Sequence, residues 1–267
     1  MRVAPVMAIL LRQWYLLRGS PVRALPMFAW VGIDIVLWGF ISRFLNSVSG
    51  TSINFTAVFL GAVLLWDLCG RVMQGLTTAF LEDVWSRNFL NLFASPLRIS
   101  EYVTGLVIAS ICTSMIGLGV MLGLAVPVFG LSFLALGLRL LLFLLVLYGF
   151  GVALGTLASA MVLRFGPASE WLVWPIPALL SPFCAVFYPL TTLPAWMRGV
   201  AYALPPSYVF EGMRAALAGR PFAWLPALGA LALAALEIAL AAGYFVRVYR
   251  RAVRTGLLAR YSAETVS

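Results

Sequence analysis

In 267 residues the chain carries 63% hydrophobic side chains and only 10% charged ones, against about 25% charged in soluble domains, so its composition fits lipid as the main solvent. All 18 basic residues are arginine and the formal charge is +9; the arginines gather at the ends of apolar stretches, which fits headgroup contact and topology control rather than nucleic-acid binding. Lysine and histidine are absent. The chain therefore lacks a Walker A lysine, a His-based triad and an HExxH zinc site, and with no metal-ligand spacing among its Cys and carboxylates an enzyme is not expected.

The length leaves room for about six crossings at roughly 20–25 residues each, so residues 1–267 are read as one all-α membrane domain with six transmembrane helices. No removable signal peptide is seen at the N-terminus. Residues 1–24 read instead as an amphipathic interfacial helix: Val3, Val6, Met7, Leu10, Trp14 and Leu17 recur at helical spacing, with Arg12 opposite them. Six apolar stretches follow, near Leu25–Phe44, Phe55–Gly75, Tyr102–Val126, Phe133–Met161, Trp171–Tyr188 and Phe222–Val246. Cys69, Cys112 and Cys184 all fall in apolar stretches and are expected as buried free thiols.

Placing both termini in the cytoplasm puts twelve arginines inside and four, Arg43, Arg198, Arg214 and Arg220, outside. An even number of spans agrees with that topology. Arg247, Arg250, Arg251 and Arg254 would form one basic stripe just past the last span, a flank suited to anionic headgroups.

Between the second and third spans lies a cytoplasmic loop, 76–100. Within it Leu81–Phe93 has helical periodicity: Leu81, Val84, Trp85, Phe89, Leu92 and Phe93 on one side, Glu82, Asp83, Ser86, Arg87 and Asn91 mostly on the other. Asp83 and Arg87 stand four apart, and Ser95-Pro96 ends the run. Such a helix could be pushed by a partner or could simply rest on the membrane.

Asp34, Asp67, Arg71 and Glu237 fall inside spans. Each costs about 2.5–3.5 kcal/mol on insertion scales and should face a partner or a water-filled path. Asp67 and Arg71, four apart, can pair along one face. Past the fifth stretch, 189–221 is rich in proline and aromatics and too broken to span. Its helix-like pieces, Ala195–Ala203 and Ser207–Ala218, are separated by Pro205-Pro206, which suits an outer re-entrant element. The aromatics clustered here suit an interfacial belt, or a stacking surface for cargo.

These features together resemble the membrane subunit of ABC-2 type ABC transporters. Arg12–Arg18 (RQWYLLR), Leu37–Phe44 (LWGFISRF) and Phe80–Leu97 (FLEDVWSRNFLNLFASPL) are similar to the opening and the coupling segment of such permeases. Ser181–Arg214 carries an aromatic-Pro turn, a Leu-Pro-x-Trp helix and Pro-x-x-Tyr-x-x-Glu-x-x-Arg. The likeness departs where Val31, rather than proline, follows Trp30. It implies an exporter in a bacterial-type inner membrane, with a homodimer of permeases forming the path for an amphipathic, glycolipid, polysaccharide or drug-like cargo. Two copies of a separate cytosolic ABC ATPase would bind the ATP and Mg; no cofactor is implied for this chain. Glu82, Asp83, Trp85 and Arg87 would then serve coupling to the ATPase, and Tyr188, Tyr208, Glu211 and Arg214 the outer gate. The rival reading is an ion-coupled secondary transporter or channel using Asp34, Asp67 and Glu237.

Overall fold

A computed structural model describes residues 2–48, 55–86, 92, 95–131, 136–166 and 169–256; the side chains of residues 21–31, Trp85 and Glu170 are not described. Among these residues the chain is mostly helical, with no strand. In chain order the helices are α1 (Val3–Gly19), α2 (Pro21–Val48), α3 (Gly61–Trp85), α4 (Ile99–Phe129), α5 (Leu138–Phe165), α6 (Glu170–Val173), α7 (Ile176–Leu180), α8 (Ala195–Tyr202), α9 (Pro205–Leu217) and α10 (Trp224–Arg254). A π-helical turn, Thr56–Leu60, runs straight into α3.

Four helices among the described residues are long and apolar enough to cross a membrane: Thr56–Val84, Ile99–Phe129, Leu138–Phe165 and Trp224–Arg254. The 28-residue α2 would extend about 42 Å at 1.5 Å per residue, longer than a hydrocarbon core of about 30 Å. The fifth apolar stretch differs from its expectation as a single span. It breaks into α6 and α7, and residues 181–188 continue in turns. Pro175, Pro177 and Pro182 account for the breaks, since each removes a backbone donor and its ring clashes with the preceding turn.

At the centre stands α5, which packs on both α3 and α10. Its approach to α3 depends on two small residues spaced i, i+4. A Cβ added to Gly151 would lie 2.8 Å from the Cys69 carbonyl oxygen, and one on Gly155 would lie 3.1 Å from that of Met73. Small residues at this spacing let helix backbones come together where lipid supplies no hydrophobic drive. The two largest of four buried clusters among the described residues fill the bundle. One joins Met73, Phe80, Tyr102, Leu163 and Phe245; the other joins Leu65, Phe143, Phe150, Cys184, Phe210 and Met213 and is closed by α9. Cys69 and Cys184 are buried as expected, whereas Cys112 is exposed on the outer face of α4.

Two further differences concern the site. Leu81–Trp85 does not begin a separate loop helix but forms the end of α3, with Ser86 as its C-cap. No glycine or proline interrupts the chain between Gly75 and Trp85, so nothing ends the helix earlier. Residues 87–91, 93 and 94 lie outside the description, and with them Arg87. The second difference is the rotation of α1. Val6 and Ile9 are buried and Ile9 sits over Gly105 of α4, where an added Cβ would come within 2.7 Å of its side chain. Val3, Met7, Leu11 and Trp14 face outward. Arg12 turns into the protein, because a buried carboxylate waits there for a counter-charge.

Candidate functional site

Asp83 stands in the last turn of α3, three residues before the chain leaves for the segment 86–98. It is 0% exposed. Arg12 grips both of its oxygens, with Nη1 donating to Oδ2 at 2.8 Å and Nη2 donating to Oδ1. The Tyr102 hydroxyl donates to the same Oδ2 at 2.7 Å. A planar fork on a carboxylate is the strongest ordinary pairing geometry. Its hydrogen bonds to Asp83 hold the Arg12 guanidinium above its usual pKa.

At the other end of that segment a second fork repeats the arrangement. Arg2 donates to Glu101 through Nε to Oε1 at 3.0 Å and through Nη2 to Oε2 at 2.9 Å, and its backbone N–H reaches Oε1 at 3.1 Å. Arg2 also donates to the Pro96 carbonyl, while the Arg98 N–H caps back onto Glu101 Oε2 at 3.1 Å. Both ends of the segment 86–98 are thus tied to one helix, α1. Asp83 points into the protein rather than toward an outside partner, held by Arg12 and Tyr102; its expected pairing with Arg87 lies outside the described residues. Glu82 is half-buried beside it, and the side chain of Trp85 lies outside the description.

Sequence reasoning missed Arg2, Arg12, Glu101 and Tyr102 as members of this group. The partners lie 71 and 99 positions apart, so no local spacing connects them. The one signal was the number of carboxylates at the edges of apolar helices, each of which needs a donor.

Three of the four residues expected at the outer gate do converge. Glu211 and Arg214, on adjacent turns of α9, form an ion pair at 3.0 Å. Glu211 accepts the Leu190 N–H at 2.7 Å, and Arg214 donates to the Ala185 carbonyl at 2.9 Å and the Val186 carbonyl at 3.3 Å. Tyr188 lies within the turn they hold and donates to the Pro182 carbonyl at 2.7 Å. Ala185 has φ +51°, a left-handed conformation that costs a non-glycine residue about 1–3 kcal/mol and persists where its surroundings impose it. Tyr208 stands apart from the latch and ties α9 to α8 through the Tyr202 carbonyl at 2.9 Å. Trp38 of α2 stacks on Phe187 with ring centroids 5.1 Å apart, which links this turn to the first long helix.

Among the intramembrane charges, Asp67 and Arg71 pair along α3, and Arg71 passes over Gly117 of α4. Asp34 of α2 lies within electrostatic reach of the same arginine. Glu237 belongs elsewhere: its neighbours include Cys69 and Cys184, and Cys69, two residues from Asp67, faces nearly the opposite side of α3. Its Oε2 is enclosed and accepts no hydrogen bond from the described residues. The three carboxylates therefore do not share one site.

Four long apolar helices, one of them carrying the Asp67–Arg71 pair, mark an integral membrane protein. Residues 6–218 match the family model described as ABC-2 type transporter. The chain belongs to that family, whose members are transport permeases that work with an ABC ATPase. No curated protein matches the chain.

Proposed function

We propose that this chain is the permease subunit of an ATP-driven exporter, and that α1 with the segment 86–98 receives the stroke of the ATPase. The observation that carries this is the double fork from Arg2 and Arg12, which fastens both ends of the segment to α1. A push on the segment then displaces α1, α3 and α4 together instead of being lost in a loose loop. Glu82, Trp85 and Arg87 are the residues offered to the ATPase. Asp83 acts behind them by holding the end of α3 in place. ATP and Mg bind to the separate ATPase, two copies of which serve two copies of this permease in the inner membrane. Both termini are cytoplasmic.

On the opposite side, α8 and α9 form the re-entrant lid. The latch of Glu211 and Arg214 over residues 185–190 holds the exit closed until ATP binding shifts the population of states. The cargo is amphipathic: the aromatic rings of Trp196 and Tyr202 remain exposed around this end.

The test is co-purification with the partner ATPase followed by ATPase and transport assays in proteoliposomes. Arg12→Ala is expected to leave the ATPase bound but to uncouple it, so that transport falls at least tenfold relative to ATP hydrolysis. Exchanging the charges, Arg12→Asp with Asp83→Arg, should restore part of the loss. Transport that runs on an ion gradient without ATP would overturn the reading.

A further inference from the structure

Most buried and charged features of the molecule are absorbed by the clamp, the latch and the Asp67–Arg71 pair; one cavity is not. Because α4 and α10 flank α5 without closing over it, a groove of about 280 Å³ runs between the three helices. Val152 and Thr156 of α5 form its floor, Val103 and Val107 one wall, and Ile238 and Phe245 the other. It is apolar but for the hydroxyls of Ser100, Thr104 and Thr156.

The dimensions select the kind of occupant. Along α4 the groove runs from Ile99 to Val107, and along α10 from Ile238 to Val246. Eight residue steps in each case amount to about 12 Å, less than one leaflet of a core about 30 Å thick. A spanning helix of a second protein would need the whole thickness. One acyl chain from a single leaflet fits.

Charge selects the headgroup. The groove ends where α4 begins and where α10 enters its arginine-rich end. Arg98 directly precedes the first lining residue, and Arg250 follows Val246 by one helical turn on the same side; both are exposed. Glu101, the nearby acid, has both oxygens occupied by Arg2, so the mouth carries net positive charge. Ser100, exposed at the same level, offers a hydroxyl.

We infer that the groove between α4, α5 and α10 is a binding site for an anionic phospholipid of the cytoplasmic leaflet, with one acyl chain on Val152 and Thr156 and the phosphate between Arg98 and Arg250. The leaflet assignment rests on the topology proposed above. The lipid would act as a wedge that sets the distance between α4, which the clamp holds, and α10.

Native mass spectrometry of the full detergent-solubilised chain, offered equal amounts of phosphatidylglycerol and phosphatidylcholine, tests this without any ATPase or transport in the readout. A negative result here therefore leaves the exporter reading standing, and an uncoupled exporter leaves this result standing. Wild type is expected to retain the anionic lipid about tenfold over the zwitterionic one, the order expected of two nearby arginines. Replacing both Arg98 and Arg250 by alanine, changes confined to exposed side chains, should bring that ratio close to one. Ala242→Phe, which fills the groove, should lower retention of both lipids, with circular dichroism reporting that the fold is kept. No headgroup preference in wild type, or a preference that survives loss of both arginines, would overturn the site. So would unchanged retention in a folded Ala242→Phe protein.

Discussion

Asp83 holds a fully buried carboxylate in the last turn of α3. Its neighbours Glu82 and Arg87 suggest an exposed charged patch, yet it is buried under a bidentate arginine and a tyrosine hydroxyl. Removing one partner of a buried pair leaves a charge without compensation, at a cost of about 3–5 kcal/mol. Arg12→Ala should therefore lower thermal stability well beyond what an exposed arginine would, while Tyr102→Phe, which removes one donor of three, should cost about 1–2 kcal/mol. Unfolding in detergent, followed by a thiol-reactive dye on the buried Cys69 and Cys184, measures both. At the opposite end of the molecule, Glu211→Gln keeps an acceptor for Leu190 but weakens the pull on Arg214. It should loosen the 185–190 turn less than Arg214→Ala, which abandons two carbonyls and the strained Ala185; limited proteolysis of that turn separates the two.

At the scale of elements, hydropathy located most of the helices because a long apolar run has few alternatives in lipid. The pieces Ala195–Ala203 and Ser207–Ala218 fall on α8 and α9 because proline and the apolar period are local signals. What stayed illegible was relational. Periodicity identified α1 as a helix with an apolar stripe but not which side the protein would claim. That choice depends on Asp83 and Glu101, and on a glycine at 105 that lets Ile9 approach. Nor did the fifth stretch reveal its breaks, although its prolines were in plain view, since hydropathy averages over the backbone. The α3–α5 contact provides a check on packing. Gly151→Leu would drive a side chain against the Cys69 carbonyl and Val72, where neither neighbour is the free end of a flexible chain. It should abolish stable expression, whereas Gly119→Leu, which meets nothing within 4 Å, should be tolerated; fluorescence size-exclusion profiles distinguish the outcomes.

For the whole molecule, charge is distributed as its position in a membrane requires. The basic residues of α1, of the start of α4 and of the end of α10 gather at one end, and the Glu211–Arg214 pair lies toward the other. Cysteines introduced at Arg18 and Thr255 should both be shielded from an impermeant maleimide in intact cells, and one at Arg198 should react. A reversed pattern would remove the cytoplasmic placement of the coupling segment.

Arg2, the N-cap of α1, and Arg12 within it are ten residues apart, a baseline of about 15 Å. Two anchors on a rigid rod fix its direction as well as its position, so the rod cannot slide without also tilting. Its outer face, Val3, Met7, Leu11 and Trp14, is oily and would float at the level of the headgroups. Tilting it raises one end out of the bilayer and sinks the other. The surface tension of the surrounding lipid would thus become a restoring spring on any stroke that the proposed ATPase delivers.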